Sequence, residues 1–143
     1  MSKHNILSES HITYRTADDK SVLALISTAR EGILYSKFAS LLQKSPFSLS
    51  DWTRFLHLSE RTMQRLKSEK RAFDPVSSEK ILELTMLYKL GNEIFGTKEK
   101  FTSWLNRKNA ALGNVTPKEL LDSSFGVDLV KDELHRIEHG VLA

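Results

Sequence analysis

The side chains best suited to chemistry in this 143-residue sequence fall in two clusters. The first is Ser59-Glu60-Arg61-Thr62-Met63-Gln64-Arg65-Leu66-Lys67. Ser59 can cap a helix, Met63 and Leu66 fall three apart on an inward face, and Arg61, Gln64 and Arg65 are left on the other side. Arg and Gln are the side chains that pair bidentately with guanine and adenine edges in the major groove. Lys67, Lys70 and Arg71 follow, where a helix end meets phosphate. A helix carrying Trp52, Phe55 and Leu56 precedes the cluster, with His57-Leu58 between. Helix, short turn and helix make the outline of a helix-turn-helix. The same spacing also fits an ordinary helical hairpin with a solvated basic face.

The second cluster is His135-Arg136-Ile137-Glu138-His139, the order of ligands and base in inverted zinc peptidases. Imidazoles four apart on a helix face one way. A peptidase site needs a third protein ligand, found well downstream in such enzymes, and only Gly140 to Ala143 follow His139. No catalytic metal, and no cofactor, is expected. The chain has no Cys, which removes thiol nucleophiles and Cys-type zinc sites. It has no Gly-rich phosphate loop and no nucleophile elbow, Asp132-Glu133 reads as a solvated pair, and the Asn114-Val115-Thr116 sequon reads as chance. The expectation is a protein that is not an enzyme.

What must position these residues is an all-α chain, since six Gly and three Pro are too few for turn-rich β architecture. Asp18 and Asp19 can cap a helix with Val22, Leu25, Ile26 and Ala29 on one face, stopping near Gly32. A second helix aligns Leu34, Phe38, Leu41 and Leu42 and ends at Ser45-Pro46. A third starts at Ser48 or Ser50, and the fourth at Ser59. Asp74-Pro75 supplies a cap and a first-turn Pro for a long helix to about Phe95, closed by Gly96. That helix is apolar on more than one side, so it is central or serves two cores. Met86, Leu87 and Leu90 in it are candidates for a homodimer contact, with Gly91 allowing close backbone approach. Beyond Gly96 come Phe101, Trp104 and Leu105, most simply core, then a turn at Leu112-Gly113-Asn114. Pro117 opens a short helix with Leu120 and Leu121, and Gly126 precedes a last one with Leu129, Val130, Leu134 and Ile137.

The expected division is a mobile segment over 1–19, a DNA-binding and dimerising part over 20–95 and a second part over 96–143. Net charge is +2 over residues 1–46, +2 over 47–74 and −1 over 75–143. The basic excess is concentrated around Arg61–Arg71, where a nucleic-acid partner would need it. No apolar run is long enough for a signal peptide or a membrane span, so a cytoplasmic protein with no membrane partner is expected.

From Phe95 onward, Phe95-Gly96-Thr97-Lys98-Glu99-Lys100-Phe101-Thr102-Ser103-Trp104-Leu105 is followed by Asn109, Ala111-Leu112-Gly113 and Pro117-x-x-Leu120-Leu121. Gly126, Val130, Leu134 and Arg136-Ile137-Glu138-His139-Gly140-Val141 close the segment. It resembles the toxin-binding domain of Xre/MbcA/ParS-type antitoxins, while Arg30-Glu31-Gly32-Ile33 and Ser59 to Arg65 resemble their Xre-type helical domain. The likeness covers residues 22–143. It departs from the family at Lys108, where Pro is frequent, and at Asn114, where a second Gly is usual. Asn tolerates the left-handed conformation that such a turn requires.

The resemblance implies an antitoxin that dimerises, represses its own operon by binding operator DNA, and neutralises a RES-domain toxin that consumes NAD or transfers ADP-ribose from it. It implies that the C-terminal end covers the toxin's active site through Arg136, Glu138, His139, Gly140, Val141, Leu142 and Ala143. Wider contact would come from the Trp104–Leu121 region, including Asn109, Leu112, Gly113 and Pro117. Two other readings of the same chain are a helix-turn-helix regulator with a ligand-sensing C-terminal half, and an interaction module that does not bind DNA.

Overall fold

The computed structural model describes residues 19–140. Of the segment expected to be mobile over 1–19, residues 1–18 lie outside the described residues, as do the tail residues Val141, Leu142 and Ala143, while Asp19 begins the first helix. The described chain is all-α: α1 (Asp19–Glu31), α2 (Tyr35–Lys44), α3 (Leu49–Leu56), α4 (Glu60–Ser68), α5 (Pro75–Phe95), α6 (Lys98–Leu105) and α7 (Ser124–Glu138). Two 3₁₀ turns, Ala110–Leu112 and Pro117–Leu120, lie between α6 and α7.

The chain forms two units, divided between Met86 and Leu87. That point lies inside α5, upstream of the Gly96 boundary read from the sequence. The reason is packing after Leu87: Gly91 backs directly onto the Phe101 ring, and Phe95 stacks on Phe101 at 5.9 Å. The end of α5 therefore belongs to the second core.

In the first unit the core is aromatic. Phe38, Trp52 and Phe55 are almost wholly buried. Phe38 meets Trp52 edge-on at 5.3 Å, and Phe47 meets Phe55 the same way at 5.0 Å, the arrangement that ring quadrupoles favour. The Trp52 indole N–H donates to Ser45 Oγ at 3.2 Å, so its burial leaves no donor unpaired. Ser48 caps α3 in a reciprocal box: its Oγ accepts from the Asp51 N–H at 3.1 Å, and the Asp51 carboxylate accepts from the Ser48 N–H at 3.0 Å. Asp74 caps α5 by accepting from the Ser77 N–H at 2.8 Å, as Asp74-Pro75 predicts.

Gly32 ends α1 at φ 89. The strand-like loop behind it is stitched to the loop that follows α4. Leu34 bridges Ala72, the Tyr35 N–H donates to the Arg71 carbonyl at 3.0 Å, and the Phe73 N–H to the Ile33 carbonyl at 2.8 Å. Ser78 Oγ locks this junction, accepting from the Ile33 N–H at 2.9 Å and donating to the Phe73 carbonyl at 3.3 Å. Leu34 is therefore not on the inner face of α2; it precedes that helix and is 54% exposed. On α1, Ala29 is buried but Val22, Leu23 and Ile26 are exposed, so the apolar stripe read there is largely uncovered.

In the second unit, Phe101, Leu105, Leu121, Val127, Val130 and Leu134 form the core. Gly113 and Asn114 are both left-handed, at φ 85 and 62, so Asn114 takes the conformation that a Gly would. Thr116 and Glu119 form a capping box over Pro117. The last helix begins at Ser124, capped by Ser123, rather than after Gly126. Gly126 lies within its first turn, at a position where any Cβ would overlap the Leu120 carbonyl oxygen. Leu129, read as core, is 52% exposed; Val130 and Leu134 are buried as read, and Val127 joins them.

Candidate functional site

The turn between α3 and α4 is made by His57, Leu58 and Ser59. His57 leaves α3 at φ 55, a left-handed cap. Ser59 Oγ accepts from the Thr62 N–H at 3.1 Å and donates to Thr62 Oγ1 at 3.0 Å, which fixes the start of α4. The helix packs against α2 and α3. Met63 is buried and Leu66 half-buried, so the helix is anchored by the two residues the spacing indicated. Ser59, Glu60, Arg61, Gln64, Arg65 and Lys67 are exposed together, and Thr62 is half-buried beside them.

Lys70 and Arg71 are exposed just past the helix end, Lys70 in the left-handed region at φ 53. Glu69 sits between two cations, 3.9 Å from Arg65 and 3.5 Å from Arg71. Exposed pairs of this kind are worth about 0–1 kcal/mol, so phosphate can displace the carboxylate. Lys67 and Lys70 also border a hollow of about 510 Å³ floored by Leu34, Tyr35, Ser36 and Ala39. The arrangement is a basic, polar helix face presented on a rigid aromatic core.

The second unit sorts its expected contact residues into two kinds. Leu121 and Pro117 are buried and hold the framework, so they offer no surface to a partner. Asn109 accepts from the Ala111 N–H at 2.8 Å and Gly113 supplies a turn, which are also structural tasks. Leu112 and Trp104 are half-buried, the Trp104 ring stacked on Phe101 at 6.1 Å. Arg136, Glu138, His139 and Gly140 occupy the end of α7 and its cap; Arg136, His139 and Gly140 are exposed and Glu138 is half-buried.

Arg136 reaches Glu133 through both Nε and Nη2, each at 2.8 Å from Oε1. Glu133 is only 5% exposed, so it is a buried acid and not half of a solvated pair with Asp132. His135 Nδ1 is 3.4 Å from Glu138 Oε1, and the His135 and His139 rings stack 6.4 Å apart.

Sequence reasoning missed Phe125, which is 86% exposed. Its spacing from Leu129, Asp132 and Arg136 places all four on one helix face, and all four are exposed. The signal was the i, i+4 pair Phe125–Leu129, masked by assigning Leu129 to the core.

The residues expected to join two copies are largely spent inside one chain. Leu87 and Leu90 are 0% and 1% exposed, Gly91 is filled by Phe101, and Met86 is half-buried. They cannot present the apolar face that a dimer contact needs.

Comparison with known proteins follows the same two-unit division. Residues 24–85 match the antitoxin Xre-like helix-turn-helix domain, and residues 90–140 match the antitoxin Xre/MbcA/ParS C-terminal toxin-binding domain. The chain is 29% identical over 114 residues to Antitoxin Xre of Photorhabdus laumondii subsp. laumondii, spanning 79% of this chain and 77% of that one. It is 29% identical over 87 residues to Antitoxin Xre of Yersinia enterocolitica serotype O:8, spanning 60% and 59%. No helix among the described residues is long and apolar enough to cross a membrane. The chain belongs to the Xre/MbcA/ParS-type antitoxins, regulators rather than enzymes, with a helix-turn-helix domain followed by a toxin-binding domain.

Proposed function

We propose that this antitoxin captures a RES-domain toxin through the exposed stripe and C-terminal end of α7, and represses its own operon through α4. The observation that carries the first part is the pairing of an 86% exposed Phe125 with Leu129 on the outer face of a helix whose inner face is fully packed. An aromatic anchor beside an aliphatic one is what the centre of a protein interface is built from. Arg136 and His139 continue that side of the helix towards Gly140, with Glu138 on another side of the same turn. Val141, Leu142 and Ala143 would then enter the active site of an enzyme that consumes NAD or transfers ADP-ribose from it.

The second part rests on α4. Arg61, Gln64 and Arg65 would meet base edges, with Ser59, Glu60 and Thr62 at the helix start and Lys67, Lys70 and Arg71 on phosphates. A small unit of this kind reads palindromic half-sites as a two-fold dimer. The exposed Val22, Leu23 and Ile26 of α1, with Val76 at the start of α5, take over the role of self-contact from Met86–Gly91 in this reading.

The test is co-expression with the product of the neighbouring gene. The full chain co-purifies with it and stops its NAD consumption. Phe125→Asp loses the complex, and a chain ending at Glu138 folds and binds operator DNA but leaves NAD consumption running. Full inhibition by both variants overturns the reading.

A further inference from the structure

In three dimensions α7 brings a third donor, Glu138, beside His135 and His139 within one turn. One donor atom from each of His135, Glu138 and His139 can be chosen so that all three lie within 4.8 Å of one another. The imidazole rings are close to parallel, 22° apart, as i, i+4 side chains on one helix face are disposed to be. A tetrahedral Zn²⁺ at about 2.0–2.1 Å from its nitrogen ligands needs donors about 3.3 Å apart, which modest side-chain rotation achieves here. His135 and Glu138 are partly exposed and His139 is exposed, so an ion has a route in.

The electrostatics favour a cation at this spot. His139 is the C-terminal cap of α7, and the last carbonyls of the helix carry the negative end of its dipole. Glu138 adds a carboxylate. The nearest cation on the helix, Arg136, is held against the buried Glu133 at 2.8 Å. Two imidazoles and one carboxylate are a borderline donor set. They suit Zn²⁺, Ni²⁺ or Cu²⁺ and disfavour Mg²⁺ and Ca²⁺, which require oxygen shells.

We propose that His135, Glu138 and His139 form a non-catalytic site for a divalent transition-metal ion, with the remaining position open to water. The ion would clamp the last turn of α7 just before Gly140 leaves the helix at φ 67. Where the toxin-capture reading also holds, an occupied site withdraws Glu138 and His139 from the toxin, so zinc weakens capture.

The experiment uses the full chain, freed of metal by a chelator and titrated with ZnCl₂ by calorimetry, with thermal unfolding followed by circular dichroism. One ion binds per chain and raises the melting temperature, because the native helix holds it and the unfolded chain does not. His135→Ala and His139→Ala each weaken this binding about tenfold or more, and MgCl₂ has no effect. His139 lies past the last helical residue and is exposed, so its variant keeps the fold, which far-ultraviolet dichroism checks. The absence of saturable Zn²⁺ binding, or binding by both His variants as tight as that of the unaltered chain, overturns the site. Both readouts are made without toxin, so their failure leaves the toxin-capture reading standing, and the converse also holds.

Discussion

The Phe101 ring occupies the space that a side chain on Gly91 would need. Helix propensity alone favours Gly91→Ala by about 1 kcal/mol. Phe101 is 0% exposed and cannot swing aside, so overpacking at about 1–3 kcal/mol outweighs the gain. Gly91→Ala therefore lowers the midpoint of chemical denaturation. Combining it with Phe101→Leu recovers part of the loss, and a double-mutant cycle isolates the coupling.

The DNA reading predicts two different phenotypes from one surface. Arg65→Ala costs about 1–3 kcal/mol on the operator and little on random DNA, since a lost base contact removes discrimination. Lys70→Ala weakens both equally and lowers the slope of affinity against salt, since a lost phosphate contact releases fewer counterions. Fluorescence anisotropy at two or more salt concentrations distinguishes them. Identical effects of both substitutions on both DNAs remove base reading from α4.

Self-association is expected to depend on α1. Leu23 is 66% exposed and Ile26 39%. Leu23→Glu with Ile26→Glu should convert a dimer into a monomer in light scattering while the thermal transition of the monomer persists. Met86→Glu, on a half-buried side chain, should instead destabilise the fold.

Burial pushes the Tyr88 hydroxyl up to about 12 from 10.0. The folded chain thus holds this proton more tightly than the unfolded one. The associated stability is complete below pH 10 and is lost as pH rises towards 12. Urea denaturation at stepped alkaline pH should show that decline, and Tyr88→Phe should reduce it. Burial raises Tyr35 in the same direction, so the slope is not abolished.

Helix starts were the most legible part of the chain, because a hydroxyl or carboxylate followed by an apolar period has few alternatives. Ser59, Asp74-Pro75 and the Gly96 stop all fall where residue types alone place them. What covers an apolar face was not legible. Periodicity shows that Val22, Ile26 and Leu129 are apolar at helical spacing, yet it carries no information on whether the chain has a neighbour for them. The same limit misassigned Leu87 and Leu90, whose excess of apolar character is absorbed by a second core within the chain. Phe125 was overlooked for the same reason, since its i, i+4 partner Leu129 was assigned to the core. Glu133 was read as solvated because the sequence does not reveal that Arg136 folds back over it.

The junction closed by Ser78, and the Arg71–Tyr35 bond that steadies the end of α4, join residues that all precede Met86. A ribosome releases the N-terminal residues first, at about 5–20 per second. Everything that shapes the basic helix is therefore synthesised while the residues after Met86 are still being added. Each nascent molecule has its helix-turn-helix unit encoded in full roughly seconds before its toxin-binding unit is complete. The order of the two units along the chain is thus also an order in time.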